Sequence, residues 1–291
     1  MIAWGAGEGV AVTLRFLVYL DLLLLAGLTL CARRTMPFEV PARMVAALAA
    51  MGALLTVAQF MATALAMTGG DTAMLDREML RYLAMQTPMG ISSIARFVLL
   101  ALIAVVAISS LRARWTIPSL ALVAVATLAW SGHAGASEGD VGILHRASDI
   151  IHLVAASAWL GTLALLLLAL ARLDIPTTEL IAALRRFAVT GTLIVGALIL
   201  SGVVNLWAIV GFEALPAVVA TEYGRTLILK LLLFAAMLGF AAYNRWRLTP
   251  RLERAANESV RSLRVSVSLE AAAAVGVILT VAFLGTQSPT G

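Results

Sequence analysis

Apolar runs of about twenty residues recur along the whole chain, and this repetition constrains the fold more than any other feature. A helix of about 20 residues crosses the hydrocarbon core of a bilayer, because each residue rises about 1.5 Å. Only 13% of the residues are charged and 62% are hydrophobic. We therefore predict an all-α polytopic membrane protein, with residues 1–291 forming a single transmembrane domain of about eight helices. The predicted spans are residues 9–32, 41–67, 90–111, 116–133, 144–171, 182–210, 223–245 and 264–285.

Positive charge is concentrated in the loops that follow the first, third, fifth and seventh predicted spans. These loops hold most of the 21 Lys and Arg residues, namely Arg33, Arg34, Arg43, Arg112, Arg114, Arg172, Arg185, Arg186, Arg245, Arg247, Arg251, Arg254, Arg261 and Arg264. Because cytoplasmic loops are enriched in Lys and Arg, this pattern predicts that both termini are periplasmic in a bacterial inner membrane. The net charge of +5 thus reflects membrane topology and does not indicate a nucleic-acid partner.

Between the second and third spans lies a segment that is too polar to cross the membrane. It covers residues 71–86 (DTAMLDREMLRYLAMQ) and combines charged residues with a helical spacing of apolar ones. We predict that it forms a short helix at the membrane surface.

All three histidines of the chain lie within twenty residues of one another, at His133, His145 and His152. Asp149 falls between the last two, and offsets of four and seven residues return to the same face of a helix. Imidazole and carboxylate groups together on the periplasmic side predict a metal or proton site. Imidazole binds copper, zinc, nickel and haem iron alike, so the histidines alone do not identify the metal. Any one of these histidines could instead simply be a buried, hydrogen-bonded residue.

Methionines narrow the choice of metal, because their thioether sulfurs are soft ligands that select Cu(I). Several of the 11 methionines fall between residues 61 and 89, on the same predicted side of the membrane as the histidines. Met67, Met85 and Met89 lie nearest the predicted membrane surface, and we predict that they contribute to a copper site. The alternative is that they fill gaps in helix packing.

A few charged and amide side chains lie inside the predicted spans, where a charge is costly unless it is paired or functional. We assign Asp21, Lys230 and Asn205 to a transport path. By their depths in the membrane, Asp21 could pair with either Lys230 or Arg15.

The sequence contains no motif that indicates an enzyme. It has no Ser-His-Asp spacing, no His-Glu-x-x-His pair and no phosphate-binding glycine loop. We therefore predict that the protein is not an enzyme and is not driven by ATP.

Several stretches resemble the CopD/PcoD family of bacterial copper-resistance inner-membrane proteins. The most specific are LHRASDIIHLVAASAWLG (144–161) and EYGRTLILKLLLFAAMLGFAAYNRWRLTPRL (222–252), and SGHAGA (131–136) also fits. The resemblance implies a copper-homeostasis protein that takes copper from the periplasm, often delivered by a small CopC-type copper-binding protein. It maps the family's membrane histidines onto His133, His145 and His152, and its other polar membrane residues onto Lys230, Asn244 and Arg245.

Three functions remain open from the sequence. The first is copper transport, as Cu(I) or Cu(II), across the bacterial inner membrane from periplasm to cytoplasm. The second is a haem-b redox protein, with His133 and His152 as the two haem ligands. The third is a scaffold that binds copper without transporting it.

A visible spectrum of the purified protein separates the first two functions. Copper transport predicts a preparation without a Soret band, because haem would not be a stoichiometric component. A Soret band in the protein as isolated would support the haem function instead.

Overall fold

The computed structural model describes residues 6–35, 38–109, 114–132, 135, 139–172, 175–254 and 256–288. These residues form α-helices joined by short turns, and no strand occurs among them. The helices are α1 (Ala6–Thr35), α2 (Ala42–Met67), α3 (Arg77–Gln86), α4 (Pro88–Ile108), α5 (Thr116–Ala126), α6 (Gly139–Ala171), α7 (Thr177–Val210), α8 (Leu215–Val218), α9 (Glu222–Tyr243), α10 (Thr249–Arg254) and α11 (Ala256–Leu284). Two 3₁₀ turns (Thr72–Met74 and Thr127–Trp130) and a π-helical turn (Asn244–Leu248) complete them.

Seven of the described helices are long and apolar enough to cross a membrane, with the π-helical turn and α10 continuing α9 into one segment. The remaining predicted span is shorter, because α5 and its 3₁₀ turn cover only Thr116–Trp130. It ends where the polar, glycine-containing stretch SGHAGA begins. The prediction of an all-α polytopic membrane protein is confirmed.

Polar residues in the loops start several helices. The Asp76 carboxylate accepts a hydrogen bond from the Met79 backbone at 2.7 Å and so begins α3. The Thr87 hydroxyl accepts from the Gly90 backbone at 3.0 Å, and Pro88 occupies the first position of α4. The polar segment predicted at residues 71–86 thus contains a 3₁₀ turn and then α3. Its position at the membrane surface stays a prediction.

Helices α1 and α6 touch backbone to backbone, because glycine occupies the contact on both sides. A Cβ atom built on Gly27 would overlap the Ser157 carbonyl and lie only 2.8 Å from the Gly161 Cα. A Cβ on Gly161 would in turn overlap the Gly27 backbone. Small residues that allow such close approach are a common basis of helix packing in membranes.

The close pair of α1 and α6 separates two groups of helices. On one side, α1 packs against α2 and α5, while α4 packs against α2 and α5. On the other side, α6 packs against α7 and α11, and α11 packs against α9. The second group surrounds the predicted histidine site, as described below.

Hydrogen bonds from arginines connect helix ends at one end of the bundle. These arginines belong to the loops that are predicted to be cytoplasmic. The Arg186 guanidinium donates to the Thr35 carbonyl of α1 at 3.0 Å. Arg264 of α11 donates to the Leu170 carbonyl of α6. These contacts agree with an arrangement in which the predicted cytoplasmic loops share one face of the protein.

The outer surfaces of α7 and α9 are apolar and exposed. Leu193 and Leu200 of α7 are 74% and 72% exposed, and Leu232 of α9 is 63% exposed. A soluble monomer rarely exposes such continuous apolar surface, so these faces are suited to contact with lipid.

We predict that Gly161→Ala destabilises the protein, because the new methyl group must push α1 and α6 apart. Overpacking costs about 1–3 kcal/mol, and this site has backbone on the opposite side that cannot rotate away. Gly196→Ala is the matched control, since a Cβ atom at Gly196 meets nothing within 4 Å. The melting temperature in detergent should fall for Gly161→Ala and stay level or rise for Gly196→Ala. Equal melting temperatures would contradict the packing described here.

Candidate functional site

A cavity of about 180 Å³ lies among α1, α6, α7, α9 and α11, at the end of α6 that carries the histidines. We call it the outer cavity, after the predicted topology. Its charged and hydrogen-bonding side chains are Arg15, Tyr19, His145, Asp149, His152, Asn205, Tyr223 and Lys230. The structure therefore brings five predicted site residues to one cavity: His145, Asp149, His152, Asn205 and Lys230.

The polar wall of the outer cavity is one face of α6. His145, Asp149 and His152 stand at positions i, i+4 and i+7, and Ala156 continues the same face one turn further. His145 is buried, and His152 lies partly exposed along the cavity. This stripe agrees with the spacing argument made from the sequence.

The tautomer of His152 follows from its hydrogen bonds. Its Nδ1 atom lies 3.0 Å from the Ser201 hydroxyl of α7. That hydroxyl has a single hydrogen, which it donates to the Ala197 carbonyl, so its oxygen accepts from His152. On this basis we assign the proton to Nδ1, which leaves the lone pair of Nε2 for a ligand. Metal-binding histidines are commonly oriented in this way by a partner on the other ring nitrogen.

Asp149 has partners on two other helices. The Asn205 amide of α7 donates to its carboxylate at 3.3 Å. Lys230 of α9 interacts with it electrostatically. A carboxylate inside a membrane protein is expected to have such partners.

Helix α1 also contributes to this cavity, which was not predicted from the sequence. Arg15, Tyr19 and Leu23 recur every four residues and all line the cavity. Arg15 was considered only as a partner for Asp21, although its spacing from Tyr19 already placed the two on one helix face.

Asp21 lies elsewhere, and the expected pairing with Lys230 or Arg15 does not occur. Asp21 is buried, and its Oδ2 atom packs against Gly52 of α2 without a hydrogen-bond partner. Residues 19 and 21 point about 200° apart on a helix, so α1 cannot present both Tyr19 and Asp21 to the outer cavity. A role for Asp21 in transport stays a prediction.

His133 lies outside the described residues. The preceding Gly132 does line the outer cavity. Arg96 of α4 holds this part of the chain, because its buried guanidinium donates to the Thr127 hydroxyl and to the Ser131 hydroxyl, each at 2.9 Å. The assignment of His133 to the site stays a prediction, supported by the position of Gly132.

The structure does not bring the predicted methionines to the outer cavity. Met67 ends α2 and is 61% exposed, and Met85 on α3 is 58% exposed. Met89 is the second residue of α4, and none of the three methionines lines the cavity. Their assignment to a copper site stays a prediction, with a location separate from the histidines.

Within the described part of the chain, no three His, Cys, Asp or Glu side chains lie close enough together to hold a metal ion. The outer cavity therefore offers two imidazoles and a carboxylate along one wall and not a closed set of ligands. His152 and Asp149 are oriented by side chains from neighbouring helices, as described above.

Two further cavities continue from the outer cavity along α6. The middle cavity, about 240 Å³ and mostly apolar, shares His152 and Lys230 with the outer one. The inner cavity, about 300 Å³, shares Trp159 with the middle one and reaches Arg245. From His145 to Trp159 the face of α6 rises about 21 Å, so the three cavities cover much of the membrane thickness.

Comparison with known proteins identifies the family. The family described as copper resistance protein D matches residues 181–284, and the N-terminal domain of copper resistance protein D-like proteins matches residues 1–143. Copper resistance protein D of Pseudomonas syringae pv. tomato is 35% identical over 97% of both chains. No solved structure matches the chain.

Two other relatives match over shorter regions. Inner membrane protein YebZ of Escherichia coli (strain K12) is 32% identical over 56% of this chain and 55% of its own. Copper transport protein CutJ of Bacillus subtilis (strain 168) is 32% identical over 67% of this chain and 35% of its own. With the full-length match to the Pseudomonas protein, these findings show that the chain is a multi-pass membrane protein of the copper resistance protein D family, with a role in copper handling.

Proposed function

We propose that this protein transports copper across the bacterial inner membrane, from the periplasm to the cytoplasm. The observation that carries the proposal is the series of three cavities along α6, with histidines at the outer one. The names of the relatives support copper as the cargo, since they include a copper resistance protein and a copper transport protein.

Copper would first bind at the outer cavity, through His145 and the free Nε2 atom of His152. Imidazole accepts both Cu(I) and Cu(II), and His133 is the proposed third imidazole. An open set of ligands suits transport, because an ion that is held too tightly cannot leave the site. Asp149 would bind the ion or orient its ligands.

Lys230 places a positive charge beside the proposed route of the ion. It lines both the outer and the middle cavity, so a copper ion would pass its ammonium group on the way inward. Asp149 offsets that charge in the structure. Movement of Asp149 toward a bound copper ion would leave the positive charge of Lys230 uncompensated. Ion binding would thereby also change the hydrogen bond between Asp149 and Asn205.

A periplasmic copper-binding protein of CopC type is the proposed donor, docking at the outer face. Transport of this kind requires no catalysed reaction. A copper-binding scaffold would show copper binding without flux, and a haem protein would show a Soret band, so both rivals can be tested on the same preparation.

We predict that the double variant His145→Ala/His152→Ala loses most copper binding and copper flux. Both imidazoles of the described outer cavity are then absent. The helix α6 should still form, because alanine has the highest helix propensity. Copper per protein after loading with Cu(I) or Cu(II), and uptake into proteoliposomes, are the measurements. Gln59→Ala on α2, which lines none of the three cavities, is the control.

Wild-type binding and flux in the double variant would exclude this site. Binding by the wild type without any flux would favour the scaffold.

We predict that Ser201→Ala weakens copper binding by about 10–100-fold without unfolding the protein. The hydroxyl fixes the proton on His152 Nδ1, and loss of such a partner commonly has an effect of this size on metal affinity. Ser157→Ala is the matched control, because the Ser157 hydroxyl bonds only to the Leu153 carbonyl of its own helix. A competition titration with a copper chelator measures the affinity, and equal affinities for the two variants would contradict the assigned role.

A further inference from the structure

Three buried polar side chains meet at the inner cavity, away from the histidines. They are Glu270 of α11, Asn244 at the start of the π-helical turn, and Trp159 of α6. Glu270 is 1% exposed and Asn244 is 6% exposed. A buried acid in a membrane protein requires partners, so the hydrogen bonds of this group are informative.

The hydrogen bonds of the pair leave two oxygen atoms without a donor. The Asn244 amide nitrogen donates to Glu270 Oε2 at 2.8 Å. The indole Nε1 of Trp159, near the Glu270 carboxyl, is a buried donor without a partner. Glu270 Oε1 and Asn244 Oδ1 are both buried and also have no hydrogen-bond partner. Both atoms can only accept hydrogen bonds while the carboxyl group is ionised, so neither can satisfy the other.

We propose that this pair is a proton-binding site, in which Glu270 takes up a proton on Oε1 and Asn244 stabilises the neutral acid. A protonated Oε1 becomes a donor, and the carbonyl oxygen of Asn244 is the unpaired acceptor beside it. The acid and the amide then bond to each other in both directions. One proton therefore removes the buried negative charge and gives the Asn244 carbonyl oxygen a donor.

The described charged groups around the site do not compensate the negative charge of Glu270 in place of a proton. Among the described residues, no basic side chain forms an ion pair with Glu270. Arg245 lines the same cavity, but its guanidinium donates to the Thr192 hydroxyl of α7 at 2.9 Å. On α6, Trp159 contributes a neutral indole N–H that interacts with the Glu270 carboxyl but carries no charge to offset it. The residues of α7 that line this cavity include no ionisable one.

Charged residues on the other neighbouring elements have partners elsewhere. Glu253 of α10 forms an ion pair with Arg185 at 2.7 Å. On α11 itself, Arg264 donates to the Leu170 carbonyl. On α1, Asp21 faces Gly52 of α2.

The π-helical turn positions Asn244 for this role. The Thr249 hydroxyl donates to the Asn244 carbonyl five residues earlier, at 2.9 Å. Such turns occur often at functional sites, because the extra residue changes which side chains share a helix face. Here the turn lets α9 end with Asn244 directed at α11 and Arg245 directed at α7.

The inner cavity provides a path for the proton. Arg245 and Trp246, both exposed, line its inner end, while Trp159 lies between it and the middle cavity. A hydronium ion on the predicted cytoplasmic side would give its proton to Oε1 and leave as water, and the reverse step would release the proton. The site stands whether or not the chain carries copper, and in a transporter it would lie beside the route of the ion.

Infrared spectroscopy of the purified full-length protein tests the proposal directly. We expect a carboxylic acid C=O band at neutral pH that shifts in D₂O, disappears at high pH and is absent from Glu270→Gln. Asp21→Asn and Asp149→Asn are matched controls that should keep the Glu270 band. Asn244→Leu should move it to higher frequency, because the hydrogen bond to the C=O group is lost.

Glu270→Gln is expected to fold, since a glutamine has the shape of the neutral acid and can also bond to Asn244 in both directions. The melting temperature should fall with rising pH more steeply in the wild type than in Glu270→Gln, because only the wild type loses the stabilising proton. The same band in both proteins, or no such band in the wild type at neutral pH, would overturn the proposal.

Discussion

The contact of Gly27 with Gly161 is the constraint on which the rest of the structure depends. Without side chains between them, α1 and α6 approach until their backbones touch. This contact fixes the rotation of both helices. α6 then directs His145, Asp149 and His152 toward α7, α9 and α11, and α1 directs Tyr19 into the same space. The position of the polar residues thus follows from packing of the smallest residues in the chain.

A membrane interior tolerates this polar face because His152 and Asp149 have polar partners on neighbouring helices. Ser201 fixes the proton of His152, while Asn205 and Lys230 hold Asp149. The cavities along α6 are therefore lined by oriented groups at the outer end, by apolar side chains in the middle, and by Glu270 with Asn244 at the inner end. An ion would exchange one set of partners for another as it moves along this helix.

Helical spacing predicted which site residues share one face of a single helix. It could not predict the contacts between different helices. The stripe of His145, Asp149 and His152 follows from offsets of four and seven residues. The contact of Asp21 with Gly52 does not follow from spacing, because it depends on how α1 is rotated against α2. The pairing of Asn244 with Glu270 depends on the π-helical turn, which has no clear sequence signal.

Copper flux through a variant that obstructs the cavities without removing a polar group tests the central claim most directly. Ala156 lines both the outer and the middle cavity, so Ala156→Phe would fill the passage between them. Ala147→Phe adds the same ring to the exposed surface of α6. The account predicts that copper uptake into proteoliposomes is largely lost in Ala156→Phe and retained in Ala147→Phe, with copper still bound at the outer site in both. Equal flux through the two variants would contradict a route along this face of α6.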